Sequence, residues 1–398
     1  MRRISSNLGA CRTLVVDSEN RPRRVRFLSD SPPHGYSMGQ EAGEKGAGAV
    51  DFQPTIPKSD RLLGCVMRTD STPWCARSTL RGLAGVGMFI IASVAGAANL
   101  SADLHSAWSV PRAAEFVTAS AQLTPAIENL CAASAATAEP ALQNARQHWL
   151  NSLIAWERLS AVNFGPVLER RSQRQIDFTP TRPRMIEKAV KSAPANAADM
   201  ELIGTPAKGF PALEWLLWVK PMQPASAECR YAVQVAAEIA REATALHAAP
   251  APKLDEEAGL SEWVNQWLGG LERLRWSNME MPARVAMTSN GKEVPGFPRL
   301  PSGAGAASWV AQWDALQRLA VGPVSLATVL RQHGKSAIAD AFAQAVRQVD
   351  ADLQGLATTD TPRILAAAKQ LSALKRQVEN EVAPALGVSI GFSDSDGD

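Results

Sequence analysis

The stretch that decides the fold runs from Trp149 to Leu159 and reads W-L-N-S-L-I-A-W-E-R-L. Its apolar side chains recur at steps of three and four residues, and Trp149, Leu153 and Trp156 form one stripe. That spacing matches the 3.6-residue turn of an amphipathic helix. The same periodicity continues almost everywhere after Val110, in segments rich in good helix formers such as Ala, Leu, Gln, Arg and Glu. The sequence therefore predicts an all-α protein built as two antiparallel helical bundles.

No segment shows the sustained alternation of β-branched residues that a strand needs. The best domain boundary is K-P-M-Q-P at 220–224, which separates an N-terminal half (98–220) from a C-terminal half (221–398). The apolar periodicity predicts helices over 111–136, 140–162, 182–192, 211–219, 226–247, 256–276, 303–320, 324–333, 335–355 and 361–382.

The chain before residue 98 has a different character. Residues 1–66 lack periodicity and are expected to be a disordered or misassigned leader, with translation starting at Met67. Residues 67–97 combine a basic flank, a short apolar run from Leu83 and the small residues Ala95-Gly96-Ala97, which is the layout of a secretory signal peptide. The run is short for a membrane span, but a buried helix or an uncleaved anchor stays open as an alternative.

Composition excludes several classes of protein. The 398 residues carry a formal net charge of +2, which argues against a basic nucleic-acid binder and against a highly charged disordered chain. Cleavage after Ala97 would leave roughly 300 residues with a slightly negative charge, and only two of the five cysteines. Cys131 and Cys229 are then expected to form a disulfide in an oxidising compartment, or to stay as two buried thiols.

Two carboxylates stand out among apolar residues. Glu157 follows the apolar stripe of the quoted helix, and Glu214 lies in G-F-P-A-L-E-W-L-L-W. A carboxylate buried there needs an arginine, a metal or a proton, so each is either a structural ion pair or part of a site. His148 lies nine residues before Glu157, half a turn out of phase on one straight helix. The sequence contains no zinc motif, nucleophile elbow, P-loop or dinucleotide fingerprint.

Two Gly- and Pro-rich segments interrupt the helices and are predicted to be loops. One is G-T-P-A-K-G at 204–209, and the other is N-G-K-E-V-P-G-F-P-R-L-P-S-G-A-G at 290–305. Long loops between packed helices are more often functional than idle.

The order of several short motifs resembles the imelysin family, which includes the insulin-cleaving membrane protease, over about Trp108 to Asp398. The resemblance implies an exported bacterial envelope protein made of two helical bundles, with a site at the interface between the two halves. Its motifs are the Trp149/Trp156 helix followed by Phe164-Gly165-Pro166, the segment Gly209 to Trp218, the Ser302-Gly303 loop, and Gly387 through Gly391-Phe392 to Asp396-Gly397-Asp398.

The family motif G-x-H-x-x-E, proposed to bind a metal, reads G-F-P-A-L-E here, so Pro211 stands at the histidine position. Proline offers no ligand atom. The resemblance therefore implies a metal site of Glu157 and Glu214, holding a divalent metal or iron with other donors, and ligand-binding positions at Gly209, Pro211 and Ser302.

Three functions follow as expectations. The first is a periplasmic or envelope protein that binds a metal or small ligand between two bundles, in iron acquisition, without an intact peptidase motif. The second is an active metallopeptidase whose missing ligand comes from elsewhere, for instance His148. The third is a non-catalytic envelope interaction module that uses the 290–305 loop. No nucleic-acid partner is expected, and the membrane is involved only through the signal segment.

Overall fold

Residues 100–288 and 296–391 are described in the structure, a computed structural model, and they fold as helices with no strand among them. The prediction of an all-α protein is therefore confirmed. The predicted leader (1–66) and signal peptide (67–97) lie outside the described residues, as do 289–295 and 392–398. Within the described ranges, no helix is both long enough and apolar enough to cross a membrane.

Seventeen α-helices can be traced through the described residues, and seven of them adjoin one of four π-helical segments. The π-helical segments are His105–Ser109, Trp215–Val219, Arg273–Glu280 and Val378–Val382. The helices are α1 (Leu100–Leu104), α2 (Val110–Ala121), α3 (Leu123–Cys131), α4 (Ala138–Ser160), α5 (Pro166–Glu169), α6 (Ser172–Ile176), α7 (Pro183–Ser192), α8 (Ala197–Glu201), α9 (Gly209–Glu214), α10 (Ala227–Ala248), α11 (Glu256–Glu272), α12 (Met281–Thr288), α13 (Gly305–Val321), α14 (Leu326–Gln332), α15 (Ser336–Leu353), α16 (Thr361–Gln377) and α17 (Ala383–Ala385).

The quoted stretch lies in α4 and buries its whole apolar stripe. Trp149, Leu153 and Trp156 are completely buried. Each such side chain contributes about 1.5–3 kcal/mol by leaving water. Helix α4 packs on α2 and α3 on one side and on α13 on another, so it belongs to the first half of the chain but touches the second.

Two hydrophobic cores share the described residues. The first core draws on α2, α3, α4, α9 and α10, and the second draws on α11 through α16. Helix α10 lies after the boundary proposed at 220–224, yet its buried residues belong to the first core. The two cores are not divided cleanly along the chain, because Val162 and Phe164 belong to the second core and Ala304 belongs to the first.

A disulfide ties the end of α3 to the beginning of α10. Cys131 and Cys229 are bonded in the structure, with their Cα atoms 5.5 Å apart. The backbone N–H of Ala225 also donates to the carbonyl of Cys131 at 2.9 Å. The pairing expected from the sequence is the one that the structure contains.

The predicted helix over 111–136 ends earlier, at Cys131, and it is broken at Gln122 into α2 and α3. The cause of the break is Pro125. It has no N–H to donate to the carbonyl of Ala121, and its ring would collide with that carbonyl in a continuous helix. Gln122 closes α2 instead, by donating its N–H to the carbonyl of Ala119 at 3.3 Å.

Candidate functional site

Glu157 is buried at the contact between α4 and α13. It follows Trp156 on α4 and is 6% exposed. The hydroxyl of Ser308, on α13, donates to Glu157 Oε1 at 2.7 Å. The amide of Gln312 supports that hydroxyl by donating to it at 3.0 Å. Glu157 therefore joins a helix of the first core to a helix packed in the second.

An arginine and a second carboxylate meet Glu157 there. Arg299 Nη2 contacts Asp177 Oδ1 and lies 3.6 Å from Glu157 Oε1. The other oxygen of Asp177 accepts a hydrogen bond from Trp156 Nε1 at 3.0 Å. Asp177 and Arg299 are both buried, at 8% and 4% exposure. The Trp indole and the guanidinium thus hold the Asp177 carboxylate from two sides.

Glu214 lies at the end of α9 and is bound by the loop that carries Arg299. Ser302 donates its backbone N–H to Glu214 Oε1 at 3.1 Å and its hydroxyl to the same oxygen at 2.6 Å. Glu214 is 3% exposed. Loop residues 297–304 therefore reach both predicted carboxylates, one through the Arg299 guanidinium and the other through Ser302.

The start of α9 requires glycine at position 209. Gly209 has φ +70°, a conformation that residues with a Cβ rarely adopt. A Cβ there would lie 2.0 Å from the carbonyl oxygen of Ile176, the residue before Asp177. Pro211 is buried in the first turn of α9, where a missing N–H is harmless. Gly209 and Pro211 shape this turn, and Pro211 contributes no donor or acceptor side-chain atom to the site.

A second arginine completes the group. Arg273, in the π-helical segment after α11, donates through Nη2 to the carbonyls of Ser160 at 2.6 Å and Ala161 at 3.1 Å. Burial lowers the pKa of Arg273, while Glu157 and Asp177 act in the opposite direction. We refer to Glu157, Asp177, Glu214, Arg273 and Arg299 together as the ionic cluster.

The pKa values of both Arg299 and Glu157 are raised within the ionic cluster. Burial alone would lower the pKa of Arg299, but Asp177, Glu157 and Glu214 outweigh it and raise that pKa. Burial raises the pKa of Glu157, and Asp177 adds to the rise against the opposing effects of Arg299, Ser308 and Arg273. Three carboxyl groups face two guanidinium groups, so the third carboxyl must be balanced by a proton or by a positive ligand.

The donor set does not fit the metal site that the sequence suggested. Within residues 100–288 and 296–391, no group of three or more His, Cys, Asp or Glu side chains is placed to hold a metal. One oxygen of Glu214 is bound by Ser302, and Glu157 faces a guanidinium and a hydroxyl. The cations of the ionic cluster are arginines of this chain.

His148, the proposed extra ligand of a metallopeptidase, lies elsewhere on α4. Together with Pro111, Glu115 and Asn151 it lines an open groove along α2 and α4. Its place agrees with the half-turn offset from Glu157 along the helix.

Sequence reasoning found Glu157, Glu214 and Ser302 but missed Asp177, Arg273 and Arg299. One signal was available for Arg299, because it is the only arginine in the Gly- and Pro-rich 290–305 segment. Asp177 and Arg299 are 122 residues apart, so no local pattern could have paired them.

One family model matches most of the chain, and two solved structures share its fold. A family model described as Imelysin matches residues 109–387. The fold is similar to an imelysin-like protein from Psychrobacter arcticum 273-4, with a TM-score of 0.61 and 20% identity over 73% of this chain and 96% of that one. It is also similar to a putative iron-regulated protein A precursor from Parabacteroides distasonis ATCC 8503, with a TM-score of 0.59 and 14% identity over 72% and 93%. No curated protein matches the chain.

Proposed function

We propose, from the premise that this chain belongs to the imelysin family, that it is exported to the periplasm and binds a small ligand at the ionic cluster without hydrolysing peptides. One observation carries the proposal. Four ionisable side chains of the ionic cluster are buried together between the two cores, and Arg273 beside them is half-buried. Burying each ion costs several kcal/mol that apolar residues would not. Such a concentration of buried charge is more typical of sites than of packing.

The chemistry of the ligand follows from two features of the ionic cluster. The excess carboxyl group favours a ligand that is neutral or positively charged. In the described residues, Arg299 Nε is buried and has no hydrogen-bond partner, so it can donate to a ligand oxygen. We therefore propose a small ligand that carries an oxygen acceptor and no net negative charge.

Iron acquisition is the physiological setting that we propose. The support is that one structural neighbour is described as an iron-regulated protein precursor. A cationic ferric trihydroxamate chelate has the required oxygen acceptors and charge, whereas ferric citrate has the acceptors with the opposite charge.

Peptide hydrolysis is not part of the proposal because of the donor set. A catalytic zinc site needs about three protein ligands and an open position. The motif position of the histidine is Pro211, and Glu214 is engaged by Ser302. These residues do not supply such a set.

The test begins with the location of the protein. The full-length chain is expressed in a Gram-negative bacterium with a C-terminal tag, and the periplasmic fraction is analysed by mass spectrometry. We expect a periplasmic product that begins near residue 98. Retention of an unprocessed chain in the cytoplasm would overturn the proposed export.

Ligand binding is then measured on the purified protein by thermal shift and calorimetry. We expect the cationic ferric chelate to stabilise the protein, by about 2.7 kcal/mol at a concentration of 100 Kd. Glu157→Gln should abolish the effect. The matched control is Glu242→Gln, which alters a buried carboxylate paired with Arg170 outside the ionic cluster. Chelator-sensitive cleavage of denatured casein, or equal binding by wild type and Glu157→Gln, would overturn the proposal.

A further inference from the structure

Arg299 takes the central place in the ionic cluster. Its Nη2 contacts Asp177 Oδ1 and lies 3.6 Å from Glu157 Oε1, so one nitrogen faces oxygens from two carboxylates. The side chain is almost entirely buried, and its backbone has φ +64°, a left-handed conformation that is costly for a residue with a Cβ. A buried charge held on a strained backbone is the kind of feature that the surrounding structure must stabilise.

The groups around Arg299 are those that bind hard cations. Glu157 and Asp177 supply carboxylate oxygens, and Ser308 places a hydroxyl oxygen 2.7 Å from Glu157 Oε1. Oxygen donors of this kind, completed by water, are what Ca²⁺ and Mn²⁺ prefer. What separates this arrangement from a cation site is that a guanidinium already lies between the carboxylates.

We infer that Arg299 is the resident cation of the ionic cluster, and that its guanidinium excludes divalent metal ions from the position between Glu157 and Asp177. The chain thus contains a latent cation site that is closed by one of its own side chains. The inference depends on the Arg299 contacts and not on which ligand the protein binds. Its failure would leave the tests of export and chelate binding unchanged.

Removal of the guanidinium should open the latent site. Full-length protein carrying Arg299→Met is titrated with Mn²⁺, and bound Mn²⁺ is counted by electron paramagnetic resonance. We expect one Mn²⁺ per chain with a Kd of about 0.1–1 mM, the range of sites with few charged ligands. Wild type should bind at least tenfold more weakly, and the double variant Glu157→Gln/Arg299→Met should lose the gain.

A matched control removes a different arginine from a buried carboxylate. Arg170 forms an ion pair with Glu242 at 2.7 Å, and the carboxylate is 6% exposed, but among the described residues no second carboxylate forms an ion pair with Arg170. Arg170→Met should therefore gain no Mn²⁺ binding. If it binds Mn²⁺ as Arg299→Met does, the effect is not specific to the ionic cluster and the inference is wrong.

Other outcomes also decide against the inference. A folded Arg299→Met variant that binds Mn²⁺ no better than wild type would overturn it, as would stoichiometric binding by wild type that disappears in Glu157→Gln. If Arg299→Met does not fold, Arg299→Lys is the deciding variant because it keeps the positive charge. It should bind no Mn²⁺, and one Mn²⁺ per chain in that variant would contradict exclusion by charge.

Discussion

Replacing Gly209 by Ala tests how the turn before α9 brings Glu214 into place. The new Cβ would lie 2.0 Å from the carbonyl oxygen of Ile176 and 2.6 Å from its Cα. Both are backbone atoms, so no side chain can swing aside. An alanine in the left-handed conformation destabilises the folded protein by about 1–2 kcal/mol. Alanine also restricts the unfolded chain more than glycine does, which offsets about 0.4–1 kcal/mol of that loss. Overpacking adds about 1–3 kcal/mol, so we expect a loss of about 1–5 kcal/mol.

The matched control is Gly334→Ala, in the turn between α14 and α15. Gly334 has φ +72°, nearly the same as Gly209, but nothing lies within 4 Å of the position that a Cβ would take there. Only the conformational cost remains, so we expect a loss of about 0–1.5 kcal/mol. The assay is urea unfolding followed by tryptophan fluorescence, comparing midpoints at equal m values. If the two variants differ by less than about 0.5 kcal/mol, the close contact with Ile176 does not require glycine and the reasoning fails.

Three further predictions concern the pKa of Glu157, the disulfide and a buried tyrosine. Because burial raises the pKa of Glu157 in the folded protein, its contribution to stability is complete below the unfolded pKa and is lost as the pH rises through the folded value. Urea unfolding should show wild type losing stability relative to Glu157→Gln as the pH rises from about 4, and parallel pH profiles would contradict this. The Cys131–Cys229 disulfide closes a span of 98 residues, so its reduction should lower the free energy of unfolding by about 4.7 kcal/mol. Thiol titration of the unfolded, unreduced periplasmic protein should find no free thiol. Tyr231→Phe removes a hydroxyl that donates to the carbonyl of Ala207 at 2.6 Å. The carbonyl is left without a partner, so the free energy of unfolding measured in urea should fall by about 1–3 kcal/mol. An unchanged midpoint would show that water replaces the hydrogen bond.

The helices could be predicted because their signal is local. The stripe of Trp149, Leu153 and Trp156 recurs at helical spacing, and all three are completely buried in α4. The same periodicity hid the break at Gln122, because apolar residues continue across it in helical phase. Pro125 was the signal that marked the break, and its effect on the carbonyl four residues earlier should outweigh the periodicity.

The ionic cluster could be predicted only in part, because its contacts are long-range. Glu157 and Glu214 are conspicuous as carboxylates among apolar neighbours, so the sequence singles them out. Asp177 and Arg299 lie in irregular segments, and each becomes recognisable only when the other is beside it. A sequence identifies a buried carboxylate by the cost of burying it, but it does not say whether an arginine, a metal or a proton offsets that cost.

Stability alone does not account for the ionic cluster. A buried ion pair is often no more stabilising than apolar residues of the same volume, while removing one partner costs about 3–5 kcal/mol. Three residues of the cluster, Asp177, Arg273 and Arg299, lie outside the α-helices, and Glu157 on α4 is fixed by Ser308 on α13. An apolar contact between the cores would tolerate sliding, but these hydrogen bonds fix α4, α9 and the 297–304 loop in one register. The charges therefore give the junction a defined geometry. That geometry, with one excess carboxyl group and an Arg299 Nε that has no hydrogen-bond partner among the described residues, is the basis of the proposed binding site.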